Sequence, residues 1–129
     1  MMPLNRWLEF ALDDLDSAEI MMREGKYNNV CYFSHQAAEK GLKGFLENNR
    51  VNPPRIHDLV ELLKLCKNLI EGFEQFLPQA RTLNQFYIPT RYPVAPPGAA
   101  PEGMPSRPLA EKALNYAKEI VEYCRVNLI

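Results

Sequence analysis

The stretch YNNVCYFSHQAAEKGLKGFLENN, residues 27–49, decides the fold. Tyr27, Cys31, Ser34, Ala38, Gly41 and Phe45 recur at alternating steps of four and three, which places them on one helical stripe. Val30, Phe33 and Ala37 widen the stripe, and Leu42 and Leu46 lie on its other flank. A helix apolar or small around so much of its circumference is expected at the centre of a bundle. Ala37, Gly41 and Gly44 share one face. Each glycine costs about 1 kcal/mol relative to alanine in a helix interior. Such a cost implies that another helix backbone approaches closely there.

Outward from this segment the pattern stays helical. Leu4, Leu8, Ala11, Leu15, Ala18 and Met22 form a second stripe, predicting a helix over 4–24 that ends at Gly25. Asn52, Pro53 and Pro54 break the central helix. A third helix starts near Asp58, which has capping-box spacing to Glu61, and buries Leu59, Leu62, Cys66 and Leu69. A shorter helix is expected over about 73–86. Pro78 lies within that range, or else in the first turn of a helix beginning near Leu77. Pro89, Pro93, Pro96, Pro97, Pro101 and Pro105 then exclude regular structure over 87–106. Ser106 is a good N-cap with Pro108 just inside it. Ala110, Ala113, Ala117, Ile120 and Cys124 carry the last helix toward the C-terminus. No segment alternates with period two. The expectation is one all-α domain over 1–129, an antiparallel up-and-down bundle of four to five helices.

Composition narrows the function. The formal charge of −1 excludes a uniformly basic nucleic-acid coat, so any attraction for phosphate must be local. The three cysteines, Cys31, Cys66 and Cys124, are far apart and sit among apolar neighbours. They read as buried thiols, with neither a metal site nor a cofactor implied. The N-terminus lacks the pattern of a signal peptide and no stretch is long and apolar enough for a membrane span, so a cytoplasmic protein is expected.

Two clusters carry chemistry. In the central helix, Gln36, Lys40, Lys43 and Glu47 form a polar row, with His35 and Glu39 as an i,i+4 pair beside it. This row is either a solvated face or a cationic rim in which Lys40 and Lys43 face phosphate, with His35 and Gln36 at the groove edge. The second cluster, FYIPTRYP over 86–93, sets Tyr87, Arg91 and Tyr92 around a proline-stiffened turn. Arginine binds phosphate through two parallel hydrogen bonds, and tyrosine rings either stack on bases or pin the loop to the bundle.

HQAAEKGLKGFL, then IHDL, then YIPTRYP, in that order, resembles the HEPN domain family. The opening helix, with Trp7, Ala11, Asp14, Leu15 and Ala18, also looks like that family, and the resemblance spans about 5–125. It implies a helical bundle that usually forms a homodimer. It also implies one of two settings: a metal-independent RNase, often a toxin, or the partner of a small nucleotidyltransferase in a toxin–antitoxin-like or nucleotide- or RNA-binding system. RNase-competent members carry an arginine followed four to six residues later by a histidine, near the loop before the last helix. Arg91 resembles that arginine, yet YPVAPPGAA follows it, without a histidine. The chain has only His35 and His57. Arg50 and His57 have similar spacing but lie in the loop after the second helix, outside the family's usual position. Acid/base cleavage near Arg91 therefore lacks its best-suited group. The resulting expectation is a non-catalytic or weakly catalytic binding module, with ligand contacts from Arg91, Tyr92, Tyr87, Lys40, Lys43, His35 and Gln36. The alternative is an RNase pairing Arg91 with a non-standard histidine, His35 or His57, with His35 the first candidate.

Overall fold

The computed structural model describes residues 5–87 and 104–128. Arg91, Tyr92 and most of the proline-rich stretch lie outside the described residues. Helices α1 (Arg6–Arg23), α2 (Tyr27–Asn48), α3 (Leu59–Lys67), α4 (Leu77–Asn84) and α5 (Arg107–Val126) make an antiparallel bundle, with a 3-10 turn over Glu71–Phe76 leading into α4. Among the described residues there is no regular strand.

Helix α1 starts at Asn5, whose side-chain oxygen accepts from the Leu8 N–H at 2.9 Å. It ends at Gly25, which adopts φ +71, a left-handed conformation that glycine enters without steric cost. The chain then turns back, and the far end of α2 meets the beginning of α1: the Asn5 amide donates to the Gly44 carbonyl at 2.8 Å. Gly44 has no room for a side chain. A methyl there would overlap Leu8 Cδ2 and lie 3.0 Å from both Asn5 Oδ1 and Trp7 Cβ. Gly41 faces α5 instead, where an added methyl would sit 3.3 Å from Val121 Cγ2. The two glycines thus admit two different neighbours to α2, one on each side.

Helix α2 is the most buried element, and α1 and α5 flank it. Cys31, Ala38, Leu42, Phe45 and Leu46 are fully enclosed. Ala110, Ala113, Ala117, Ile120 and Cys124 of α5 are enclosed as well. Phe45 meets Phe73 from the 3-10 turn at 4.6 Å between ring centroids, so the short elements close the end of the core. All three cysteines are buried free thiols, and burial pushes those of Cys31 and Cys66 up to about 12.

The shorter elements refine the sequence reading. Pro78 falls in the first turn of a helix that begins at Leu77, so the helix expected from Phe73 is a 3-10 turn followed by α4. Leu69, assigned to the buried stripe of the third helix, is 43% exposed, because α3 ends at Lys67 and the stripe ends with it. Leu63 is buried on that helix. Asp58 caps α3 by accepting from Val60 and Glu61 N–H. Glu61 pairs with Lys64. Ser106 accepts from the Leu109 N–H and starts α5 as expected.

Candidate functional site

The polar groups of α2 are not spread over a solvated face. Helix α1 packs along that side of α2 and supplies partners for them. Lys40 reaches Asp14 Oδ2 at 2.7 Å and lies 5.8 Å from the centre of the Phe10 ring. Asp14 is itself largely buried. Desolvation raises its carboxyl above the usual range, against the opposing pull of the Lys40 hydrogen bond and charge. Lys43 is buried: its ammonium donates to Glu39 Oε2 at 2.9 Å and sits 5.6 Å from the Trp7 ring. Trp7 is tied down in turn by donating to Glu47 at 2.6 Å. The row read as a possible free cationic rim is thus two lysines each paired with a carboxylate, with Gln36 half-buried one turn before Lys40.

His35 also lies inside the protein rather than at a groove edge; it is fully buried. Its Nε2–H donates to the His57 carbonyl at 3.0 Å, which defines the tautomer, because a carbonyl only accepts. The other nitrogen, Nδ1, has no hydrogen-bond partner and stands 4.0 Å from Glu39 Oε1. Desolvation, the largest effect, lowers the His35 pKa to about 4, despite the opposing influence of Glu39. At neutral pH His35 is an uncharged structural donor that fixes the backbone of the α2–α3 connection.

That connection brings His57 over Glu39. The His57 Nδ1–H donates to Glu39 Oε1 at 3.0 Å, so one buried carboxylate, its side chain 6% exposed, serves His57 and Lys43 together. The carboxylate selects the Nδ1–H tautomer and leaves Nε2 as an acceptor when the ring is neutral. Tyr87 stacks on the His57 ring at 4.5 Å between centroids and 19° between planes, and leans on His35 at 5.2 Å. Asn84 locks the two chain segments together: its side chain accepts from the Leu59 N–H and donates to Asp58, each at 2.8 Å. That hydrogen bond is the main cause holding the Asp58 carboxyl below its usual range.

Of the residues proposed from sequence, the structure brings His35 and Lys43 to Tyr87 and Glu39, puts Lys40 one turn away against α1, and leaves Arg91 and Tyr92 beyond the described residues. Sequence reasoning ranked His57 behind His35 and gave Asn84 no role. The available signal for His57 was its place immediately before the Asp58 N-cap, where the start of α3 fixes its position. Asn84 carried no signal, since its partners are 25 and 26 residues away. Among the described residues no group of three or more His, Cys, Asp or Glu is placed to hold a metal ion, and no helix is long and apolar enough to cross a membrane.

The fold and the site can be set against known proteins. The HEPN domain family matches residues 4–127. Three solved structures share the fold at a TM-score of 0.78. ST0689, an archaeal HEPN homologue, is 27% identical and is covered end to end, as is this chain. TT1696 from Thermus thermophilus is 35% identical over 93% of this chain and 94% of its own. A HEPN domain protein from Thermotoga maritima, tm0613, is 27% identical over 96% of this chain and 98% of its own. No curated protein matches. With the family matched across nearly the whole chain and the bundle shared with its solved members, the protein belongs to the HEPN domain family.

Proposed function

We propose that this HEPN chain is a binding module for a phosphate-bearing ligand, a nucleotide or an RNA segment. It acts as a homodimer and works with a small nucleotidyltransferase in a two-component, toxin–antitoxin-like system. One observation carries the reading: the fixed Tyr87–His57–Glu39–Lys43 assembly stands where the chain enters the segment bearing Arg91. Arg91 follows Tyr87 by four residues in the sequence. In this reading Arg91 anchors phosphate through its planar fork, and Tyr87 and Tyr92 flank it. Lys40, Lys43, His35 and Gln36 support the site from behind. Each lysine already has a carboxylate, so Arg91 supplies most of the free positive charge.

The test is calorimetric titration of the wild type and Arg91→Ala with AMP and a short single-stranded RNA at low and moderate salt. Loss of a charged hydrogen bond weakens binding by about 1.5–3 kcal/mol. Binding by the wild type also falls as salt rises. Equal binding by Arg91→Ala refutes the assignment.

A second reading, a metal-independent RNase, is favoured by the way Glu39 holds His57. A buried carboxylate bonded to Nδ1 leaves Nε2 positioned to move a proton. His57 then replaces His35 as the histidine to pair with Arg91, since His35 Nε2 is occupied by a backbone carbonyl. The first reading expects the purified chain to cleave generic RNA slowly or not at all in the presence of a chelator. Robust cleavage lost in both Arg91→Ala and His57→Ala establishes the second.

A further inference from the structure

We infer that His57 is a stacking platform for an unpaired nucleobase, an inference that rests on the phosphate-bearing ligand proposed above and names a subsite for it. The geometry of the ring carries it. An imidazole has two faces and a polar perimeter. Glu39 takes the Nδ1 edge at 3.0 Å, and Tyr87 takes one face at 4.5 Å. The side chain is nevertheless 50% exposed. Among the described residues the ring makes no other hydrogen bond, ion pair or ring contact, so there the exposure falls on the second face and the Nε2 edge.

The support behind this surface residue is out of proportion to any contribution it makes to the core. Holding it uses a buried carboxylate, a buried lysine to neutralise that carboxylate, and a buried histidine on the His57 carbonyl. His35 is left with an unpartnered Nδ1 in the interior. Apolar residues filling the same space would stabilise a bundle at least as well, because buried ion pairs recover their desolvation cost only with good geometry. What the arrangement achieves is one fixed orientation of a flat ring. A ring already immobile loses little freedom when a ligand covers it.

The chemistry that fits an open aromatic face beside a single acceptor is a nucleoside unit. The base stacks on the free face, continuing the Tyr87–His57 stack by one layer. A hydroxyl or amino group of the same unit donates to Nε2. A base in a duplex has both faces occupied, so the ligand is a free nucleotide or single-stranded RNA. Glu39 is a positioning residue here; it bonds the His57 ring and Lys43 and stands 4.0 Å from His35 Nδ1.

Adenosine, AMP, a hexaadenylate RNA and inorganic phosphate are titrated in parallel into wild type, His57→Ala, His57→Phe, Glu39→Gln and Arg91→Ala. Circular dichroism confirms that each variant is folded. His57→Ala is expected to lose roughly 5- to 100-fold in affinity for the three base-containing ligands and nothing for phosphate. His57→Phe, which keeps a flat ring, regains most of that loss. In the wild type the His57 ring protons move upfield as the base covers them, and Glu39→Gln reduces this shift. AMP and hexaadenylate separate the two sources: the tighter of the two identifies whether a free nucleotide or a strand is preferred. Unchanged adenosine and AMP binding in His57→Ala overturns the inference, as does His57→Phe binding as weakly as His57→Ala. A wild type that holds adenosine through His57 but gains nothing from phosphate retains the stacking site and removes the Arg91 reading. Phosphate-dependent binding indifferent to His57 does the reverse, and no binding of any ligand sinks both.

Discussion

Acid should loosen this bundle through one buried histidine. His35 titrates near 6.5 in an unfolded chain and near 4 inside the fold, where burial disfavours its charge. The folded pKa is the lower of the two, so the unfolded chain takes up the proton first as pH falls. The stability contributed by neutral His35 is therefore complete above about pH 6.5 and is lost on the way down toward about pH 4. Linkage between pH 7 and pH 5 amounts to about 2 kcal/mol from this residue, a large part of the total for a domain of this size. Carboxylates also respond to acid, Asp58 among them, so the comparison is made against His35→Gln. That variant has no titrating ring, and its amide nitrogen falls near the position of Nε2, the atom that donates to the His57 carbonyl. Urea unfolding at pH 7, 6 and 5 should show the wild type losing about 2 kcal/mol more than the variant over that range. If the variant does not fold, the His35 ring proton in NMR supplies the same test, since it should not begin to titrate until well below pH 6. Parallel pH profiles, or a His35 ring that titrates near 6.5, refute the reasoning that its charge is excluded by burial.

The packing of α2 makes separate predictions. Gly44→Ala drives a methyl into Leu8 and against the Asn5 cap. Overpacking of about 1–3 kcal/mol should outweigh the gain of about 1 kcal/mol in helix propensity, lowering the urea midpoint. Gly41→Ala meets the Val121 methyl at 3.3 Å, with Val121 Cα at 3.5 Å and Cys124 Sγ at 3.7 Å in ordinary contact, so the crowding should roughly offset the gain in helix propensity and leave the midpoint nearly unchanged. Asn84→Ala removes both hydrogen bonds joining α4 to the start of α3, costing about 1–2 kcal/mol in the same assay. Light scattering should give the mass of a homodimer, and a monomer contradicts that part of the proposal.

The helices were legible because their signals are local and redundant. The four-three stepping of Cys31, Ser34, Ala38 and Phe45, the Ser106 cap and the Pro78 first turn each combine a periodic or steric rule with neighbours a few residues away. Gly41 and Gly44 announced close approach, but the one helix expected on a shared face is two, α5 at Gly41 and α1 at Gly44, and nothing local distinguishes them. The site was less legible because its contacts are distant. Lys40 and Lys43 looked like a free row until Asp14 and Trp7 of α1 covered that side of α2, and Glu39 faced inward rather than toward solvent. His57 reaches Glu39 across 18 positions and Tyr87 across 30, through a connection whose path is determined by the α3 cap and the Asn84 clamp. Spacing along the chain offered His57 only a match to Arg50, outside the family's usual position; the fold gives it Glu39 and Tyr87.

Chemical-shift mapping of the uniformly labelled protein with AMP and with single-stranded hexaadenylate tests the central claim most directly, because it locates the ligand without presupposing a residue. The account predicts that the largest amide and ring shifts gather at Glu39, His57 and Tyr87 and at signals lost or displaced in Arg91→Ala, and that they shrink as salt is raised. Shifts centred instead on the groove lined by Leu63, Lys67 and Leu77, or no shifts with either ligand, contradict it.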